Sequence, residues 1–205
     1  MTVNLLIGTR NQAKFKRYKA VLSQFPHLNV LAPADIQMTL SVVEDGESAA
    51  ANARKKAQAY ASASGLPTLG IDEALSIPGL PLAEQPKTAV RRYLGQEATD
   101  EALLEIFLSK IKGLAPHARE AIWLYAICLA LPEGQTFFDE VEVQVVFTDR
   151  PHLPIMPGYP LRSLLVDPRS GKPLRDLTPE EERDRLQPLY QKVAGIVRAA
   201  GLEHG

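Results

Sequence analysis

Residues 5–14 read LLIGTRNQAK, an apolar run that ends abruptly at a loop of small, polar and basic residues. The run VNLLIG (3–8) has the length and composition of a buried strand. The stretch AKFKRYKAVLSQF (13–25) has apolar residues at helical spacing, and LNVLAP (28–33) reads as a second strand. A strand, a loop, a helix and a further strand in this order predict an α/β protein.

Three further helices carry start and stop signals. The alanine-rich segment 47–65 favours a helix that ends at Gly65 in a left-handed cap. Segment 99–112 is amphipathic, with a threonine cap, acids in its first turn and lysines in its last. Thr178, followed by proline and acidic residues, starts another helix, and Pro188 is expected to interrupt it.

Three more apolar runs predict strands. LPTLGIDEALSI (66–77) reads as a strand that enters a turn. AIWLYAICLAL (121–131) and FFDEVEVQVVF (137–147) are separated by a short turn and read as a hairpin. The alternation within VEVQV is typical of a half-exposed strand.

Composition excludes several classes of protein. The formal net charge of −1 gives no electrostatic footprint for nucleic acid, so a small molecule or a protein is the expected partner. The single cysteine, Cys128, excludes an internal disulfide framework and is expected to be an inert core thiol. No apolar stretch reaches the roughly 18–20 residues that cross a bilayer, and a cytoplasmic location is expected.

The loop from Thr9 to Lys14 joins a strand to a helix start. Free N–H groups at a helix N-terminus favour anions, Lys14 adds a positive charge, and Thr9 and Asn11 add short donors. The glycines and the Ser/Thr of a Walker loop are missing. Two interpretations stay open, a phosphate site and a solvated basic helix start.

Glu44 and Asp72 form a candidate metal pair. Glu44 precedes the alanine-rich helix, and Asp72 lies near the end of a predicted strand. Ligands of α/β sheets collect at such positions, and two carboxylates suit Mg²⁺, which prefers oxygen ligands. Lys56 lies within the alanine-rich helix. For all three residues the alternative is an ordinary solvated charge.

The order of these signals resembles the inosine/xanthosine triphosphate pyrophosphatase family. That family cuts a nucleoside triphosphate to a monophosphate and pyrophosphate. The matching segments are TRNQAK for its T-G-N-x-x-K loop, ANARKKA for E-N-A-x-x-K-A, GLPTLGIDEAL for G-L-P-x-x-A-D-D-S-G-L, RRYLG for A-R-Y-x-G, and SGKPLRDLTPEEERDRL for its G-K-T-F-A-E-L-S-P-E-E-K-N-R-I segment.

The resemblance implies a fold and an assembly. It implies one domain over residues 1–205, a mixed, twisted sheet flanked by helices, and two lobes around a central cleft. It also implies a homodimer, to which the apolar segment 151–166 is expected to contribute.

The resemblance further implies a set of site residues. Glu44 and Asp72 are expected to hold Mg²⁺, and Asp72 to orient the attacking water. Lys14 and Lys56 are expected to neutralise phosphate charge, because phosphoryl transfer depends mainly on positioning and electrostatic stabilisation. The residues expected to bind substrate are Thr9, Asn11, Lys14, Arg92 and Lys172.

Departures from the family pattern lie mostly in its substrate half. Ile71 and Glu73 replace the first aspartate and the serine of D-D-S-G-L. Arg162 replaces an aspartate of the loop that shapes the base pocket, and Glu182 replaces a lysine expected to face phosphate. The S-H-R signature that reads the purine is absent near residues 186–188.

Two hypotheses of different classes follow from these matches and departures. The first is a Mg²⁺-dependent nucleoside triphosphate pyrophosphatase with altered base specificity. The second is a catalytically silent relative that binds a phosphorylated ligand or a protein partner. In both hypotheses the expected small-molecule ligand is a nucleoside triphosphate or a related phosphorylated molecule.

Overall fold

A computed structural model of the protein describes residues 2–93 and 98–203, without the side chain of Arg92. Six strands within this part form one sheet. They are β1 (Val3–Ile7), β2 (Leu28–Leu31), β3 (Thr68–Ser76), β4 (Glu120–Ala130), β5 (Thr136–Phe147) and β6 (Leu165–Val166), in the order β2-β1-β3-β4-β5-β6. Strand β1 is parallel to β2 and β3, whereas β5 and β6 are antiparallel. The prediction of an α/β protein with a mixed sheet is therefore confirmed.

Five α-helices lie between or after these strands in the described part. They are α1 (Gln12–Leu22), α2 (Ala49–Ser64), α3 (Asp100–Lys112), α4 (Pro179–Arg185) and α5 (Gln187–Ala199). Gly65 ends α2 with a φ of 68°, and Thr99 accepts the N–H of Ala102 at the start of α3. Thr178 forms a capping box with Glu181. The predicted caps are confirmed, and the break between α4 and α5 falls just before Pro188.

The chain divides into two compact units. The first comprises Met1–Glu73, Tyr125–Val141 and Gln187–Gly205. In this unit β1 pairs with β2, and α1 packs against α5. Its core includes Leu5, Leu6, Ile7, Tyr18, Val21, Leu22, Leu189, Val193 and Val197. Helix α5 contributes because its apolar residues recur every three or four positions and so share one face.

The second unit comprises Ala74–Leu124 and Glu142–Leu186. Helix α3 packs its apolar face against a 3₁₀ turn at Pro160–Leu164. The rings of Phe107 and Phe147 stack with centroids 6.1 Å apart. Aromatic pairs in this arrangement contribute beyond the apolar area that they bury.

Two sequence predictions concern the apolar segments. Cys128 is free and buried, and burial raises the pKa of its thiol to about 11, as expected for an unreactive core residue. Among the described residues, none of the helices combines the length and apolar character that a membrane span needs.

Candidate active site

The loop after β1 begins beside β3. Ile7 pairs with Leu69 in the parallel register, and the N–H of Gly8 donates to the Leu69 carbonyl at 2.9 Å. The chain thus leaves β1 while β3 continues towards Asp72. Strand β1 lies between β2 and β3. The connection from β1 to β2 and the connection from β2 to β3 therefore run in opposite directions along the sheet. Such switch points place loops and helix starts where ligands bind in α/β sheets.

Asn11 is the N-cap of α1. Its Oδ1 accepts the N–H groups of Ala13 and Lys14, at 2.9 and 3.1 Å, and Thr9 Oγ1 accepts the N–H of Asn11 at 3.2 Å. The expectation that this helix start offers free N–H groups to an anion is therefore wrong for Ala13 and Lys14. The side chain of Lys14 stays as the positive group that the loop presents.

One face of β3 lies directly on α2. A Cβ on Gly70 would come within 2.3 Å of the Ala53 carbonyl oxygen and 2.4 Å of the Ala57 nitrogen, so only glycine permits this approach. Because successive strand residues alternate between faces, Asp72 points the same way as Gly70. The glycine brings the carboxylate of Asp72 onto the helix that carries Lys56.

Asp72 is held by two side chains of α2. Asn52 Nδ2 donates to its Oδ2 and Lys56 Nζ donates to its Oδ1, both at 3.0 Å. Asp72 is 3% exposed and Lys56 is 7% exposed. Asn52 and Lys56 reach one carboxylate because residues four apart lie on the same face of a helix. This spacing was the sequence signal for Asn52, which was not among the predicted site residues.

Lys56 also connects Asp72 to Glu44. Its Nζ lies 3.3 Å from Glu44 Oε1, so a single ammonium contacts both predicted metal ligands. The N–H of Gly46 donates to Asn52 Oδ1 at 2.8 Å, which ties the loop that carries Glu44 to the start of α2. The structure thus brings together Glu44, Lys56 and Asp72. The outermost two, Glu44 and Asp72, are 28 residues apart along the chain.

The donor set can be compared with the needs of Mg²⁺. Two carboxylates lie around one cation, here the ammonium of Lys56, and hard oxygen donors are what Mg²⁺ prefers. No group of three or more His, Cys, Asp or Glu residues within the described residues is placed to hold a metal. Glu44 and Asp72 supply two oxygen ligands of the kind that Mg²⁺ takes together with phosphate and water, and their role as metal ligands stays a prediction.

Glu73 joins the opposite face of β3 to α1. Arg17 Nη1 donates to its Oε1 at 3.0 Å, and Lys14 Nζ lies 3.9 Å from its Oε2. Glu73 is 8% exposed. Burial alone would raise the pKa of Glu73, but the positive charges of Lys14, Arg17 and Lys56 outweigh it and hold the pKa below its ordinary value. Glu73 therefore carries a negative charge inside this cluster.

Arg17 was not a predicted site residue. It lies three positions after Lys14, on the same side of α1, and its guanidinium also lies 5.5 Å from the ring centroid of Tyr125. The spacing from Lys14 was the available sequence signal. Nothing in the local pattern indicated that Glu73 would be its partner.

The remaining predicted residues belong to the second unit. Lys172 Nζ pairs with Glu181, at 2.7 Å from Oε2. The side chain of Arg92 lies outside the described residues, as does Gly95 of the same motif. The roles of Arg92 and Lys172 in binding substrate stay predictions.

Two departures from the family pattern contact each other. Arg162 donates through Nη1 to Glu182 Oε1 at 2.7 Å and through Nη2 to Oε2 at 3.2 Å. Arg185 donates to the same carboxylate through Nε and Nη2, both at 3.0 Å. Burial would raise the pKa of Glu182, but the hydrogen bonds and charges of Arg185 and Arg162 lower it to about 2. The interpretation of Glu182 as an added like charge is incomplete, since two guanidinium groups balance it.

Fold and site together define a class. The protein is an α/β protein in which the loop between β1 and α1 begins beside the parallel strand β3. Strand β3 carries the buried carboxylate of Asp72, and the two adjoining helices, α1 and α2, carry Lys14 and Lys56. The Ham1 family model matches residues 5–181, and the chain belongs to that family. The relationship identified from the sequence motifs is thereby confirmed.

Similar proteins agree with this assignment. A dITP/XTP pyrophosphatase of Geobacter sulfurreducens is 32% identical over 147 residues, covering 72% of this chain and 72% of that protein. A dITP/XTP pyrophosphatase of Bacillus subtilis is 29% identical over 177 residues, covering 86% and 87%. The solved structure of a Staphylococcus aureus Ham1 protein has a TM-score of 0.72 at 23% identity, covering 94% and 98%. The last similarity supports the fold alone.

Proposed function

We propose that this protein is a Mg²⁺-dependent nucleoside triphosphate pyrophosphatase. It opens the anhydride bond between the α- and β-phosphates with water and releases a nucleoside monophosphate and pyrophosphate. The observation that carries this proposal is the buried carboxylate of Asp72, held by Asn52 and Lys56 and connected through Lys56 to Glu44. The relatives named dITP/XTP pyrophosphatases support the same reaction class.

Each residue of this cluster has a role in the proposal. Asp72 orients the attacking water and accepts its proton, because a carboxylate fixed on both oxygens is a positioned general base. Lys56 and Lys14 balance the phosphate charge, and Asn52 keeps Asp72 in place. Thr9 and Asn11 shape the loop that carries Lys14 to the substrate.

Glu44 and Asp72 are the residues that would hold Mg²⁺. The ion supplies positive charge to the phosphate oxygens and helps to orient them. With such an ion held by Glu44 and Asp72, the ammonium of Lys56, which contacts both carboxylates, would be the neighbouring group that balances phosphate charge.

Altered base specificity is part of the proposal. The positions expected to shape the base pocket carry Arg162 and lack the S-H-R signature. Arg162 is engaged with Glu182, so it is not available as a simple substitute for the residue that the family pattern has there. A site that has lost buried hydrogen-bonding partners discriminates less between bases. A homodimer and a cytoplasmic location stay predictions.

The second candidate is a catalytically silent relative that binds a phosphorylated ligand or a protein partner. The observation in its favour is Glu73, which already pairs with Lys14 and Arg17. The retained Asp72–Lys56–Glu44 arrangement favours the enzyme over this alternative.

One experiment separates the two candidates. Pyrophosphate release is measured from a panel of ribo- and deoxyribonucleoside triphosphates, including inosine and xanthosine forms, with Mg²⁺ and with a chelator. The proposal expects metal-dependent turnover of at least one substrate. Absence of turnover across the panel would reject the enzyme and leave the binding protein.

A further inference from the structure

Glu73 occupies an unusual position for a buried acid. Its carboxylate lies 3.9 Å from Lys14, which the proposed function assigns to phosphate, and 3.0 Å from Arg17 of the same helix. A buried carboxylate of this kind takes the place that an anionic ligand group would otherwise fill. The inference below rests on the proposed phosphate site and concerns its affinity.

The alternation of β3 explains why two adjacent acids serve different cations. Asp72 faces α2, where it meets Asn52 and Lys56, whereas Glu73 faces α1 and its basic residues. Glu73 is thus no part of the Asp72–Asn52 hydrogen-bond pair. The basic side chains that it contacts are those of Lys14 and Arg17 on α1.

The two contacts of Glu73 differ in kind. Arg17 makes a direct hydrogen bond, and its side chain is 11% exposed. Lys14 lies beyond hydrogen-bond distance, and its side chain is 20% exposed. Lys14 is therefore attracted by Glu73 without being fixed by it, and its ammonium is accessible to a second anion.

The charges of the cluster balance before a ligand arrives. Three cations, Lys14, Arg17 and Lys56, lie among three carboxylates. Those carboxylates are Glu44, Asp72 and Glu73. A phosphate chain that enters here must share Lys14 with Glu73. It is also repelled by the negative charge of Glu73, which salt screens only weakly because the residue is buried.

We infer that Glu73 is an internal counter-anion that competes with the phosphate groups of a ligand for Lys14 and Arg17 and so sets the phosphate affinity of the site. It is a residue that tunes binding, and it has no part in bond breaking. Removing its charge while keeping its shape should tighten the binding of pyrophosphate, the simplest probe that carries the relevant groups.

The test compares pyrophosphate binding to the full chain and to Glu73→Gln by titration calorimetry at fixed ionic strength, without metal. Glutamine keeps an oxygen for Arg17 and removes the charge, so the dissociation constant should fall about tenfold. Glu73→Asp keeps the charge and should bind within about twofold of the unmodified chain.

A matched control accounts for net charge. Asp139 forms an ion pair with Lys192 in the same unit, and Asp139→Asn changes the net charge of the protein by the same amount. This variant should leave pyrophosphate affinity unchanged. Glu73→Ser provides a second neutral variant, expected to tighten binding in the same way if Glu73→Gln fails to fold.

The outcomes separate this inference from the proposed function. Unchanged or weaker pyrophosphate binding in the folded neutral variants, or no binding to any of the proteins, would overturn the inference even where the chain turns over nucleotides. Tighter binding in the neutral variants would support it even where no nucleotide is hydrolysed, because the assay measures no turnover.

Discussion

The ammonium of Lys56 donates a 3.0 Å hydrogen bond to the carboxylate of Asp72, and both residues are almost fully buried. A buried charge needs a partner of opposite charge, and the ammonium and the carboxylate are partners for each other. The pair therefore fixes the carboxylate of Asp72 in the middle of β3, three residues beyond the point where β1 ends beside Leu69.

Asn52→Ala tests whether Asn52 positions Asp72. The variant removes a hydrogen bond from Oδ2 of Asp72 and leaves the N–H of Gly46 without its acceptor. Pyrophosphate release should show kcat lowered about tenfold with a smaller change in KM, since an uncompensated buried partner costs roughly 1–3 kcal/mol. Gln58→Ala, at an exposed position of the same helix, is the control and should change neither constant.

Glu44→Gln tests the metal assignment. Losing one of the two carboxylates lowers the affinity of the site for a divalent cation. It has a smaller effect on kcat once the site is saturated with Mg²⁺. The Mg²⁺ concentration for half-maximal pyrophosphate release should rise about tenfold, with most of kcat recovered at high Mg²⁺. Glu47→Gln, an exposed acid of the same loop, should leave the Mg²⁺ requirement unaltered. An unaltered requirement in Glu44→Gln would remove Glu44 from the metal site.

The Glu182 carboxylate predicts how stability depends on pH. Its pKa is lowered from 4.5 to about 2 because Arg185 and Arg162 outweigh the effect of burial. A lowered pKa stabilises the fold above pH 4.5, and that stabilisation is lost as the pH falls towards 2. The shift corresponds to on the order of 3 kcal/mol.

Urea unfolding of the unmodified chain and of Glu182→Gln checks this prediction. The difference in free energy of unfolding between them should be largest near pH 6 and should shrink as the pH approaches 2.5. Other carboxylates titrate in both proteins and cancel in the difference. A difference that does not change with pH would show that Glu182 is not held as described.

Local signals in the sequence were enough to predict much of the fold. Helix caps such as Thr99 and Thr178 depend on residues within one turn, so they are legible without tertiary structure. The strand at 68–76 and the hairpin of β4 and β5 follow from short apolar runs bounded by turn residues. The mixed sheet was an implication of the family resemblance, since strand order cannot be read from such runs.

The partners within the site needed the structure. Asp72 and Glu73 are adjacent in sequence, and only the contacts of β3 with α2 and α1 show that they meet different cations. Arg162 and Glu182 are 20 residues apart and read as two separate losses until their contact is seen. In each case the pairing depends on tertiary packing, which residue type and spacing do not determine.

The most direct test of the central claim compares the unmodified chain with Asp72→Asn, with Mg²⁺, on the nucleoside triphosphates that the panel identifies. Asparagine keeps the size of the side chain but cannot take a proton from water, so pyrophosphate release should fall at least about 100-fold while circular dichroism shows an intact fold. Equal release by the two proteins would contradict the assignment of Asp72 as the base of a pyrophosphatase.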